Sequence, residues 1–133
     1  MSQATPFERI GGAEVVRALA ARFYALLDAD PDYAELRALH GADLEPIRES
    51  LALFLQAWLG GPRDWFEARP GTCIMRLHRA MSVTPVLAGQ WSDAMLRSIA
   101  ADPRIDPALA RQLGEALDRM AFAMVPRPEM AAG

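Results

Sequence analysis

Few residues in this chain can do chemistry, and their spacing narrows what that chemistry is. There are two histidines, His40 and His78; the second lies thirteen positions before Trp91, and an aromatic pair, Phe23-Tyr24, comes early in the chain. Two separated histidines and one cysteine, Cys73, offer no cluster with zinc spacing. One imidazole is nevertheless all that the proximal side of a haem iron takes from a protein, the sixth position being left for a gas or water. Taken singly, each of these residues has a plainer role. A lone histidine is usually a surface or hydrogen-bonded core residue, and Tyr24 and Trp91 on apolar stripes would be core aromatics whose polar tips find a backbone partner. The one carboxylate pair with useful spacing, Glu45 and Glu49, shares a helix face opposite the apolar stripe, which reads as solvated rather than catalytic.

A fold must hold these residues, and 133 residues are enough for a single domain that buries about two-thirds of its unfolded surface without disulfides. Cys73 cannot pair internally and has no histidine and acid beside it, so a reduced, cytoplasmic protein is expected. Met1 to Thr5 are polar and Arg17 and Arg22 interrupt the first apolar stretch, which does not read as a secretory leader. Fourteen basic against seventeen acidic residues, without single-sign runs, argue against nucleic acid or a membrane surface as partner. No window approaches the roughly 20 uncharged apolar residues of a membrane span. The 52% hydrophobic content suits helices that line a cavity as well as pack on one another.

Proline marks the helix starts, because at the first helical position its missing N–H costs nothing and a preceding Thr or Asp can cap the free amides. Thr5-Pro6, Asp30-Pro31, Thr84-Pro85 and Asp106-Pro107 fit, and Glu8 completes a capping box with Thr5. Gly11-Gly12 should end the opening helix. Val16, Leu19, Phe23, Leu26 and Leu27 form one face of a helix from Ala13 to Asp28, and a short helix is expected from Pro31 to about Leu39. Leu44, Ile47, Leu51, Phe54, Leu55 and Trp58 repeat the stripe until Gly60-Gly61-Pro62. From Arg63 to Thr84 the pattern weakens, with a turn at Pro70-Gly71 and one helical turn over Ile74 to His78. Two further helices follow, Pro85 to Ala101 with Ala88, Trp91, Met95 and Ile99 on one face, and Pro107 to Met124 with Leu109, Leu113, Leu117, Met120 and Met124. No strand pattern competes, so the class is all-α. The tail from 126 to 133 should be disordered, leaving an ordered core of about 5 to 125.

At this point the residues resemble a known family, the truncated haemoglobins of group II. The landmarks are Phe7-Glu8-Arg9-Ile10-Gly11-Gly12, Arg22-Phe23-Tyr24, Leu36 to His40, Phe54-Leu55, Trp58-Leu59-Gly60-Gly61-Pro62, His78 and Trp91-Ser92-Asp93-Ala94-Met95. The resemblance spans Thr5 to about Met124 and implies a truncated, two-over-two helical globin domain around haem b, iron protoporphyrin IX. It implies His78 as the proximal iron ligand, Tyr24, Trp91 and His40 as distal groups facing a bound gas, and a pocket that includes Phe23, Ile47, Leu51, Phe54, Ile74, Arg76 and Met81. Phenol, indole and imidazole are suitable there because each can donate a hydrogen bond to a ligand carrying partial negative charge. The chain departs from the family pattern at Ile47, Ser50, Leu77, the Pro70-Gly71-Thr72-Cys73 stretch and Met81. Loss of the usual basic residues leaves Arg76 or Arg79 to hold the haem carboxylates. The implied function is binding of O2, NO, CO or similar small ligands by a monomer or homodimer, with NO-dioxygenase or peroxidase-type redox activity if an external electron donor serves it. A haem-free globin-like sensor or interaction module is the alternative.

Overall fold

Thr5, Asp30, Thr84 and Asp106 each precede a proline, and each caps the element that follows. In the computed structural model, which describes residues 4–68 and 83–125, helix α1 spans Pro6–Ile10. Thr5 Oγ1 accepts the Glu8 N–H at 3.1 Å while the Glu8 carboxylate accepts the Thr5 N–H at 3.2 Å, so two otherwise orphan amides are satisfied reciprocally. Helix α2 spans Ala13–Ala29. The Asp30 carboxylate then accepts the Asp32 N–H at 3.0 Å and opens a 3₁₀ turn, Pro31–Tyr33, that runs into helix α3, Ala34–Ala38. Helix α4 is Glu45–Trp58 and helix α5 Asp64–Ala68. Thr84 Oγ1 caps helix α6, Pro85–Ala100, through the Leu87 N–H, and Asp106 caps helix α7, Pro107–Ala123, through the Leu109 N–H, both at 3.1 Å.

The helices pack as two pairs, α2 with α4 and α6 with α7, joined by the contact of α2 on α6. Between the pairs Val16, Leu19, Phe23 and Leu27 meet Phe54 and Leu55, Met95 and Ile99, and Leu109, Leu113 and Leu117, all buried. This is the all-α, two-over-two arrangement expected from the sequence. The stripes are not uniformly closed, however. Leu26, Leu51, Trp91 and Met120 are half-buried and Ile47 is 38% exposed, so the face of α4 closed at Phe54 opens toward its first turn.

One element departs from the sequence reading. Asp64–Ala68 is helical, where the weak pattern after Arg63 suggested loop. Five residues are too few to display a helical period, and what holds this turn is tertiary: Trp65 is buried, its ring edge-on to Phe54 at 5.3 Å between centroids, and its Nε1–H donates to Ser50 Oγ at 3.2 Å. The turn expected over Ile74 to His78, the Pro70-Gly71 turn and the tail from 126 lie outside the described residues.

The block after α4 has a steric explanation. Gly60 takes φ 94°, the left-handed conformation that closes a helix most cheaply with glycine. At Gly61 an added Cβ would lie 2.6 Å from Phe7 Cγ, so the chain turns directly against that ring.

Candidate distal site

Helix α2 presents Phe23 and Tyr24 consecutively, and both are buried, at 1% and 5% exposure. They meet edge to face with centroids 4.9 Å apart. Phe23 also reaches Trp91 on α6, at 5.7 Å, and Tyr24 reaches His40, just beyond α3, at 5.6 Å with the rings edge-on. Residues 23, 24, 40 and 91, widely separated in sequence, therefore form one aromatic cluster. Of the other residues singled out in the sequence, Phe54 is buried and Leu51 half-buried on α4, and Ile47 stands at its open end. His78, Ile74, Arg76 and Met81 lie outside the described residues, as do Leu77, Arg79 and Cys73.

The polar tips in this cluster do not follow the usual rule for core aromatics. Among the described residues, neither the Tyr24 hydroxyl nor Trp91 Nε1 has a hydrogen-bond partner. Burial pushes the Tyr24 phenol well above its ordinary value, so it stays protonated and able to donate. A depression of about 330 Å3 reaches Tyr24 between Ala21 and Ala25 of α2 and the segment from Ala42 to Arg48. His40 differs in that its Nδ1 is engaged, 3.0 Å from the Leu36 carbonyl oxygen.

Trp91 is fastened on both sides by its sequence neighbours. Gln90 Oε1 accepts the Leu36 N–H at 3.0 Å. The buried Ser92 hydroxyl donates to Asp118 of α7 at 2.5 Å, and Asp93 accepts the Tyr33 hydroxyl at 2.5 Å. One turn further on, Arg97 donates to Asp30 at 2.9 Å and to the Tyr33 oxygen at 2.8 Å. Burial is the largest influence on Tyr33 and raises its pKa, with the neighbouring Asp93 carboxylate acting in the same direction. Sequence reasoning named Trp91, Ser92 and Asp93 but neither the bonds that fasten them nor Trp65, because each bond joins residues remote in the chain. Glu45 and Glu49, by contrast, are held in ion pairs with Arg48 and Arg17, the latter at 2.5 Å, and do not form a paired-carboxylate site.

A sequence model of the bacterial-like globins matches residues 5–125. The chain belongs to that family. Solved structures agree across the whole domain. A thermostable haemoglobin from the actinobacterium Thermobifida fusca is 33% identical, with 94% of this chain and 99% of that one covered and a TM-score of 0.81. The group II 2-on-2 haemoglobin of Agrobacterium tumefaciens is 31% identical over 95% and 97%, with a TM-score of 0.86. A cold-adapted truncated haemoglobin from Pseudoalteromonas haloplanktis TAC125 is 27% identical over 93% and 99%, with a TM-score of 0.87. The globin is thus of the truncated, group II kind, and its family implies a haem cofactor and haem-based binding of small gaseous ligands. Its described residues fit that group: a buried phenol and an indole N–H without partners make a donor set for a small ligand carrying negative charge.

Proposed function

We propose that this globin uses haem b to bind O2 and related diatomic ligands, with His78 as the proximal iron ligand and Tyr24 and Trp91 as the hydrogen-bond donors on the opposite side. The observation that carries the reading is Tyr24, its ring packed at the centre of the aromatic cluster and its hydroxyl without a partner among the described residues. A phenol whose hydroxyl is unpaired in the protein is free to donate a hydrogen bond to a ligand. Haem, when bound, supplies the iron to which the gas attaches and spreads partial negative charge onto it. The chain then does three things. Tyr24 and Trp91 donate to the ligand, Phe23 keeps both rings at a fixed spacing, and the apolar walls at Leu51 and Phe54 exclude water. Ile47, at the open end of the same face, together with Ile74 and Met81, would complete the wall, and Arg76 the contact to the haem carboxylates.

NO-dioxygenase or peroxidase-type turnover belongs to the same proposal and would require an external electron donor to return the iron to its starting state. The test is the absorption spectrum of the purified, haem-reconstituted protein in ferric, ferrous and ferrous-CO forms. An intense Soret band that shifts on reduction and again with CO, and that weakens in His78→Ala, supports the proposal. A well-folded protein that takes up no haem would leave a haem-free interaction module in its place.

A further inference from the structure

Trp65 uses both parts of its indole on one turn of α4. Its Nε1–H donates to Ser50 Oγ at 3.2 Å, and its ring meets Phe54 edge-on with centroids 5.3 Å apart. An indole nitrogen can only donate, and once buried it needs an acceptor. Trp65 is 4% exposed and Ser50 half-buried, so the bond sits at the margin of the core. Ser50 and Phe54 are four positions apart and share one edge of the helix. The indole therefore spans that edge, held at one end by a hydrogen bond and resting at the other on the phenyl ring. Phe54 also belongs to a second row. Ile47, Leu51 and Phe54 follow one another at intervals of four and three, and along this row exposure falls from 38% at Ile47, through half-buried Leu51, to 7% at Phe54. The two rows meet at Phe54, where the open face of α4 ends against the residue that the indole braces.

We infer that Trp65 is a positioning residue for the cofactor: anchored by Ser50, it fixes the Phe54 wall of the haem pocket and so sets how firmly haem is retained. This rests on the haem reading above and adds to it two residues, Ser50 and Trp65, that lie outside the pocket named from the sequence. Phe54 can turn about its side-chain bonds unless a neighbour holds it, and an edge-on indole that is itself tethered holds it in one pose. The quantity that matters is then the Ser50–Trp65 bond, and not simply the bulk at position 65.

The test is haem transfer from the full-length ferric protein to excess apomyoglobin, followed by absorption. Ser50→Ala and Trp65→Phe each remove one partner of the bond and should speed transfer about two- to ten-fold. The double variant should be no faster than the faster single one, because both substitutions break the same bond. Ser50→Thr keeps an acceptor and should stay close to the parent. Transfer at the parent's rate in both single variants, or effects that multiply in the double variant, overturns the inference. A second readout separates positioning from stability. In the ferric-cyanide form the paramagnetically shifted haem methyl proton resonances report the side chains packed on the ring; they should move in Ser50→Ala and return toward the parent's positions in Ser50→Thr. Faster transfer with those resonances unmoved would make Trp65 a residue that stabilises the fold alone, and the positioning role would fall. Failure of the haem reading shows elsewhere, since the parent itself would then have no Soret band and no haem to transfer, whereas failure of this inference leaves the parent loaded.

Discussion

At the scale of single residues, the polar groups of two buried residues carry opposite obligations. Tyr24 has a donor and no partner, so its energetic return comes only with a ligand. A hydrogen bond to a charged acceptor contributes roughly 1.5–3 kcal/mol. Tyr24→Phe should therefore speed O2 release by about ten- to a hundred-fold in stopped-flow displacement, with little change in folding stability; unchanged release would remove Tyr24 from the donor set. Asp102, at the end of α6, is the reverse case, a buried carboxylate with every oxygen engaged. Arg104 donates to both oxygens, at 3.0 and 2.8 Å, the Arg104 backbone N–H adds a third bond at 2.9 Å, and Arg22 approaches to 3.7 Å. The Arg104 hydrogen bonds hold the carboxyl well below its ordinary range, at about 2. Its contribution is then fully present above the unfolded value near 4 and is lost as pH falls through 2. Asp102→Asn should lower unfolding free energy by about 2 kcal/mol at neutral pH, and urea titrations from pH 5 to 2 should show a shallower acid decline than in the parent.

At the scale of elements, what was legible in the sequence is what is written locally. A capping residue before proline announces a helix within four positions, and all four such starts are helical starts here, the one at Asp30 opening with a 3₁₀ turn. The long apolar stripes of α2, α4, α6 and α7 were legible for the same reason. Helix α5 was not, because a single turn has no period and depends on Trp65 docking against Phe54 and Ser50. The candidate distal aromatics were legible as types, but their meeting depends on bonds such as Gln90 to Leu36, 54 positions apart, which leave no local trace. The Gly60-Gly61 pair was read as a helix stop, and packing adds a second reason for it. A Cβ at position 61 meets three atoms of the Phe7 ring within 2.9 Å, and a ring lodged between α1 and this turn cannot swing aside as a flexible chain end would. Gly61→Ala should consequently cost about 1–3 kcal/mol, the range for overpacking a core, as a lower thermal midpoint in calorimetry. A midpoint equal to the parent's would show that α1 moves freely from the turn.

At the scale of the whole molecule, ion pairs are poor candidates for the main source of stability. All fourteen basic residues are arginine, yet apart from those of the buried Asp102, the pairs among the described residues that join elements, such as Arg17 with Glu49, Arg37 with Asp28 and Arg97 with Asp30, each have at least one partner substantially exposed. Pairs of that kind contribute about 0–1 kcal/mol each. Stability must come instead from the core between the helix pairs, and that core is closed at Phe54 but open toward Ile47, with Leu51 and Trp91 only half-buried. A planar apolar cofactor covering this face would complete the core as well as create the ligand site, so cofactor binding and folding are expected to be linked. A ligand that binds only the folded chain, at a thousand times its Kd, adds roughly 4 kcal/mol. For a chain of this size that corresponds to a rise of about 10–15 °C in thermal midpoint. Scanning calorimetry of the protein with and without haem should show such a rise, and His78→Ala should reduce it by weakening attachment of the cofactor. If the loaded and haem-free proteins melted together despite full haem uptake, the cofactor would sit on the surface and not in the core, and the open face at Ile47 would need another occupant.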